Sequence, residues 1–124
     1  KTITLFSERG NQEPHAFLNL GEMHNHYQIT KMSHQKLVEN ANNLAVKPSS
    51  NSAAVALQAK SIVTQHGRMS AQAAMESLGG YSYYTKIGIE RYYRDLLAGE
   101  FHPMHASKQK EMLGNYLVGK TLAG

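Results

Sequence analysis

The 124-residue chain contains no cysteine, so neither a disulfide nor thiolate chemistry contributes to its stability or function. It has no uninterrupted apolar run of bilayer length. Its opening residues, Lys1-Thr2-Ile3-Thr4-Leu5-Phe6, form too short an apolar patch for a secretory signal. A cytoplasmic location without membrane contact is therefore expected. Charge is modest: Asp, Glu, Lys and Arg make up 18% of the chain, and the net charge is +4. The cations form no stripe, so no nucleic-acid partner is expected. Phosphate-loop and dinucleotide fingerprints are absent, and no serine sits in a strand–turn–helix nucleophile elbow. The first residue is Lys1, which points to processing, truncation or residues that precede it.

What remains is ordinary for a folded domain: 41% hydrophobic residues in a chain of one-domain length. Residues 1–19 read as an irregular lead, with a turn-rich segment from Ser7 to Pro14 and one short strand over Thr2 to Phe6. Helical spacing begins near Leu20 and runs to about Ala45, with Met23, Tyr27, Thr30, His34, Leu37 and Ala41 on one stripe. Pro48 interrupts it, and Ser50 or Asn51 is placed to cap the next helix. That helix spans about Ser52 to Leu78 and is rich in alanine, with Val55, Ala59, Ile62, Met69, Ala73 and Met75 or Leu78 as its buried face. Gly67 weakens its middle by about 1 kcal/mol relative to alanine unless close packing needs the missing side chain. Gly79-Gly80 closes it. Two shorter helices follow, Ile87 to Ala98 with Ile89, Tyr93 and Leu96 or Leu97 on one side, and Ala106 to Leu122 with Met112, Tyr116 and Leu117 as core candidates.

These elements predict an all-α fold with 20–124 as its helical body. Each of the two long helices extends nearly ~40 Å. A chain this short offers barely enough surface to cover both. Surfaces from a missing helix, another domain or a second subunit are expected to complete the core. Seven histidines raise the question of a metal, but His24 and His26 point in different directions on a helix. His102 and His105 have no third ligand near them in sequence, so no metal site is expected.

The segment from Ala73 to Asp95, AAMESLGGYSYYTKIGIERYYRD, carries a resemblance. An alanine-rich helix ends in a glycine pair, an aromatic turn follows, and the next helix holds Arg94-Asp95. In this order the elements resemble the closing part of the acyl-CoA dehydrogenase family. The similarity extends over roughly residues 20–122 and is sharp over 73–95. It implies a partial up-and-down four-helix bundle, whose first helix is missing and which packs against a neighbouring subunit. Complete relatives add an N-terminal helical domain and a middle β-domain, hold FAD, and oxidise the Cα–Cβ bond of an acyl thioester. The resemblance also implies a homo-oligomer, or a partner chain supplying the missing domains.

In that family a Gln three residues before the glycine pair, together with the glycine backbone, helps hold the adenine–pyrophosphate end of FAD. The matching positions are Glu76, Gly79 and Gly80. Glycines permit a left-handed turn and close approach of backbone to ligand, and turn N–H groups can receive a phosphate. Glu76 in place of Gln removes a donor and adds a negative charge, which suits adenine or ribose donors better than pyrophosphate. Ser82 stands where the family commonly has another glycine. Tyr81, Tyr83, Tyr84, Tyr92 and Tyr93 form an aromatic cluster suited to core or interface packing.

One departure bears on chemistry. The family's base is a Glu eight residues past the Asp of the Arg-Asp pair, and here that position is Pro103, which cannot remove a proton. Glu100 lies three residues early. Flavin-dependent monooxygenases on the same scaffold use a histidine near this loop, which singles out His102 and His105. The catalytic residues are therefore unassigned. The sequence supports the helical part of a flavoenzyme acting on an acyl thioester, with two alternatives: a non-catalytic structural or oligomerisation domain, and part of such a monooxygenase.

Overall fold

A computed structural model describes residues 1–9, 13–41, 49–83, 88–101 and 104–120. Five α-helices follow in order: α1 Thr2–Arg9, α2 Pro14–Ala41, α3 Ser50–Leu78, α4 Ile89–Ala98 and α5 Ala106–Leu117. A short 3-10 turn, Gly79–Tyr83, follows α3 directly. The described residues form no strand, and the architecture is the expected all-α, up-and-down arrangement.

The first nineteen residues correct the sequence reading. Thr2–Arg9 and residues 14–19 are helical rather than irregular, and Thr2–Phe6 belongs to α1 instead of a strand. A lone strand would leave its backbone N–H and C=O groups unpaired, whereas a helix satisfies them internally. Phe6 is what holds α1 in place. It is buried against Ala16, Ala73, Ala74, Met75 and Leu78, and its ring meets Phe17 edge-on at 5.1 Å. Pro14 then starts α2, a position where its missing N–H would have had no helical partner.

The cap of α3 also differs by one residue. Ser49, not Ser50 or Asn51, sits in extended geometry (φ −157°, ψ 162°) and forms a capping box with Ser52. Ser52 N–H donates to Ser49 Oγ at 3.0 Å, and Ser49 N–H donates to Ser52 Oγ at 3.0 Å.

Helices α2 and α3 run antiparallel over about 42 Å. Polar rungs fix their register. Ser70 Oγ donates to Met23 O at 2.9 Å, Ser33 Oγ to Ala59 O at 3.1 Å, and Asn40 Nδ2 to Ser52 O at 3.4 Å. Helices α4 and α5 lie one after the other along α3, both antiparallel to it. Leu96 touches Gly67, and the Tyr116 hydroxyl donates to Asn51 Oδ1 at 3.0 Å. The core gathers at one end, where Phe6, Ala16, Met23, Ala73, Ala74, Met75, Leu78 and Ile89 are buried together. Leu117 on α5, expected in the core, is 72% exposed, and of the α2 stripe Met23 is buried whereas Tyr27 and His34 are exposed. Thr30, Leu37 and Ala41 on that stripe are half-buried.

Candidate functional site

The end of α3 sets the geometry of the glycine corner. Gly79 terminates the helix at φ 63°, ψ −147°, a conformation reserved almost wholly for glycine. A Cβ on either Gly79 or Gly80 would meet no heavy atom within 4 Å, so the backbone of both is open to close approach. Ser82 is fully buried and its hydroxyl donates to Gly79 O at 2.7 Å. The serine that replaces a glycine in the motif therefore fastens the turn.

Glu76, Gly79 and Gly80 come together as the sequence placed them. With Gln72, Met75 and Tyr93 they line a concavity of about 410 Å³. Glu76 is exposed and accepts a hydrogen bond from Gln72 Nε2 at 3.1 Å. Gln72 was not singled out from the sequence, although its i,i+4 spacing to Glu76 is a readable signal. Its carboxamide stands one turn before Glu76 on the wall of the same concavity.

The tyrosines do not form one cluster. Tyr92 and Tyr93 are adjacent on a helix and diverge: Tyr93 lines the glycine corner, while Tyr92 lines a separate apolar groove. The side chain of Tyr83, and all of Tyr84, lie outside the described residues. The groove, about 740 Å³, has a floor of Gly67, Ser70, Ala71 and Ala74 on α3. Its walls are α2 (Tyr27) and α4 (Leu96), and Ile3 of α1 closes one end.

Among the described residues Arg94 makes no ion pair with another helix. It pairs with Glu90 at 3.6 Å and Arg91 pairs with Asp95 at 3.8 Å, both one turn apart on the exposed face of α4. Such exposed pairs contribute about 0.3–0.5 kcal/mol each. Glu100, the carboxylate nearest the expected base position, lies 2.7 Å from Arg68 Nε and is held as an ion pair. His105 caps α5, its Nδ1 accepting from Ser107 N–H at 3.2 Å. His102 and Pro103 fall outside the described residues.

His24 and His26 part company as their spacing requires. His24 is exposed and contacts Gln28, whereas His26 reaches across to His66 on α3. Their Nδ1 atoms are 2.9 Å apart and the ring centres 5.1 Å apart, so the nitrogens lie between the centres. The rings meet edge to edge, sharing one N–H···N hydrogen bond. His26 Nε2 also lies 3.6 Å from the Glu22 carboxylate. Burial first, and the neighbouring His26 second, hold the His66 pKa below its ordinary 6.5. Among the described residues no three His, Asp or Glu side chains converge as a metal site, and no helix is long and apolar enough to cross a membrane.

Against this geometry, the family described as acyl-CoA dehydrogenase, C-terminal domain, matches residues 7–102. Neither the comparison with curated proteins nor that with solved structures gives a match.

Proposed function

We propose a function from one premise: the chain belongs to the acyl-CoA dehydrogenase family, as a divergent form of its C-terminal domain. In this reading it is the helical part of an FAD-dependent oxidoreductase acting on an acyl thioester, completed by further domains or a partner subunit. The observation that carries it is the corner where Glu76, Gly79 and Gly80 line one concavity beside Tyr93. The fit to an adenine nucleotide is physical. The two glycines present unobstructed backbone, and the Glu76 carboxylate accepts hydrogen bonds from ribose hydroxyls or an adenine amino group. Glu76 does not suit the pyrophosphate, which is itself anionic. FAD, when bound, supplies the hydride-accepting ring; this chain's share is to hold the nucleotide end.

The apolar groove supports the assembly part of the reading. Ile3, Tyr27 and Tyr92 on its walls are each about half exposed or more (55%, 49% and 58%). A surface packed onto α3 between α2 and α4 would bury them.

A second reading, a non-catalytic structural or oligomerisation domain, is favoured by two observations. Glu100 is tied to Arg68, and Pro103 occupies the position of the family's base. The two readings separate in one measurement on the complete protein, FAD retention followed by flavin absorbance after gel filtration. The flavoprotein reading expects Gly80→Val to lower FAD affinity at least about tenfold, and Glu76→Gln to tighten it by removing a negative charge. Protein that retains no FAD, in wild type and variants alike, would leave the structural reading standing.

A further inference from the structure

We infer that His26 on α2 and His66 on α3 form a two-histidine site for a borderline divalent transition-metal ion of the zinc type, which clips the two long helices together. The inference does not rest on the flavin reading. Neither histidine lines the glycine corner or the apolar groove.

The two ligands converge from separate helices. They stand 40 positions apart in the chain, and their Nδ1 atoms are 2.9 Å apart. Two rungs bracket the pair along the seam, Ser70 to the Met23 carbonyl on one side and Ser33 to the Ala59 carbonyl on the other. The backbones that carry the two rings are therefore in register before any ion arrives. With bonds of about 2.0–2.1 Å, a tetrahedral ion holds two imidazole nitrogens about 3.3 Å apart. The rings reach that spacing by parting about 0.4 Å and turning their lone pairs to one side of the line between them, a small side-chain adjustment.

A ligating ring must be neutral and must offer a bare nitrogen. The Glu22 carboxylate lies 3.6 Å from His26 Nε2, which favours the tautomer with N–H at Nε2 and leaves His26 Nδ1 unprotonated. His66 then donates its Nδ1–H to His26 in the metal-free pair. When an ion binds, that proton moves to His66 Nε2, both rings stay neutral, and no proton is released. Burial holds the His66 pKa below its ordinary 6.5, so the ring is already neutral at pH 7.

The His26 side chain is 14% exposed and His66 is half-buried. Both are sheltered, yet water can complete the coordination shell. Among the described residues no third His, Asp or Glu joins them as a ligand, so the ion is exchangeable rather than a permanent structural centre. Imidazole nitrogens select zinc, copper or nickel over magnesium and calcium, which take oxygen ligands.

The test is thermal unfolding of the full chain, without a histidine tag, in zinc chloride against magnesium chloride at equal ionic strength. At roughly ten times its Kd, zinc should raise Tm by about 5 °C, and magnesium should not. His66→Gln and His26→Gln should each lose most of that rise. His24→Gln, at an exposed histidine two residues from His26, should keep it. If neither seam variant folds, NMR of the wild-type imidazoles decides the matter. Zinc should then move the His26 and His66 ring signals together, and before those of the exposed His24, His34 and His105. An equal response to zinc and magnesium, a zinc response that survives in His66→Gln, or exposed histidines shifting first overturns the site and leaves a plain hydrogen-bonded pair.

Discussion

Two glycines on the α3–α4 contact should respond to alanine in opposite senses, and the reason can be worked out atom by atom. A Cβ on Gly67 would lie 3.2 Å from Leu96 Cδ2 and 3.8 Å from Thr30 Cγ2. The first contact is tight, but Cδ2 is the far end of a half-buried side chain bordering the open groove, so it can yield a few tenths of an ångström. Alanine in mid-helix gains about 0.8–1.0 kcal/mol over glycine. Gly67→Ala is therefore expected to stabilise by about 0.5–1 kcal/mol. Gly99 has backbone angles that alanine adopts freely (φ −64°, ψ −18°). Its Cβ, however, would sit 3.0 Å from Thr64 Cγ2, 3.1 Å from Thr64 Oγ1 and 3.3 Å from the Leu96 carbonyl oxygen. Thr64 is buried and β-branched, and a backbone carbonyl does not move aside. Gly99→Ala should cost about 1–3 kcal/mol through overpacking. Urea unfolding followed by helical circular dichroism, with m held common, measures both. The double variant Gly99→Ala/Thr64→Ala should recover about 1 kcal/mol relative to the sum of the singles. The reasoning fails if Gly67→Ala loses stability, if Gly99→Ala is neutral, or if the double variant is additive.

Three further expectations follow from local geometry. Ser49→Ala removes the side-chain half of the α3 capping box and should lower stability by about 1 kcal/mol, seen as a fall in urea midpoint without a change in m. Gly79→Ala forces a side chain onto φ 63°, ψ −147° and should cost about 1–3 kcal/mol, although nothing obstructs the added methyl. A Gly79→Ala chain as stable as wild type would show that the turn relaxes. The seam between α2 and α3 should weaken in acid. His66 resists protonation in the fold, so as pH falls below 6.5 the unfolded chain takes up a proton that the folded one refuses. The facing groups are His26 and, beyond it, Glu22. Tm should drop between about pH 7.5 and about pH 5.5, and drop less in His66→Gln. A wild-type Tm that is flat or rises on acidification contradicts this.

How much of this was readable beforehand depended on how local each signal was. Gly79-Gly80 and the alanine-rich run before it mark the end of α3 through conformational freedom and side-chain entropy, which act within a few residues. The helices of the body were legible for the same reason. The front of the chain was not. Ile3, Thr4 and Leu5 favour extended geometry, and only Phe6 finding Ala73 through Leu78, some seventy residues on, makes a helix there pay. Ser49, Ser50 and Asn51 are all competent caps, and composition cannot rank neighbours of equal chemistry. The stripe on α2 is buried at Met23 and exposed at Tyr27 and His34, because periodicity shows which residues share a face but not how far this chain covers it. The meeting of His26 with His66 depends on the register between helices, which no short spacing encodes. At the glycine corner the motif pointed to Glu76, and the neighbour that holds it, Gln72, needed only the rule for residues one turn apart.

The helix that joins these sites is α3, against which α1, α2, α4 and α5 all pack. Its inner face is mostly alanine, serine and glycine, and that choice has two consequences from one cause. Small side chains let neighbouring helices approach closely, which is why Leu96 sits against Gly67 and Ser70 can reach the Met23 carbonyl. The same small side chains fill little volume, so wherever two neighbours diverge a hollow opens beside α3. The groove over Gly67, Ala71 and Ala74 opens where α2 and α4 part, and the polar cavity over Thr64 and Arg68 opens where the turn after α4 leads into α5. Large apolar residues, Phe6, Met23, Met75, Leu78 and Ile89, are concentrated at the C-terminal end of α3. They pack beside the glycine corner that ends α3. The opposite end is closed by single polar contacts, Asn40 to Ser52 and Tyr116 to Asn51. A helix built this way trades buried area for concavities, and the area it forgoes is what a partner surface on the groove would supply.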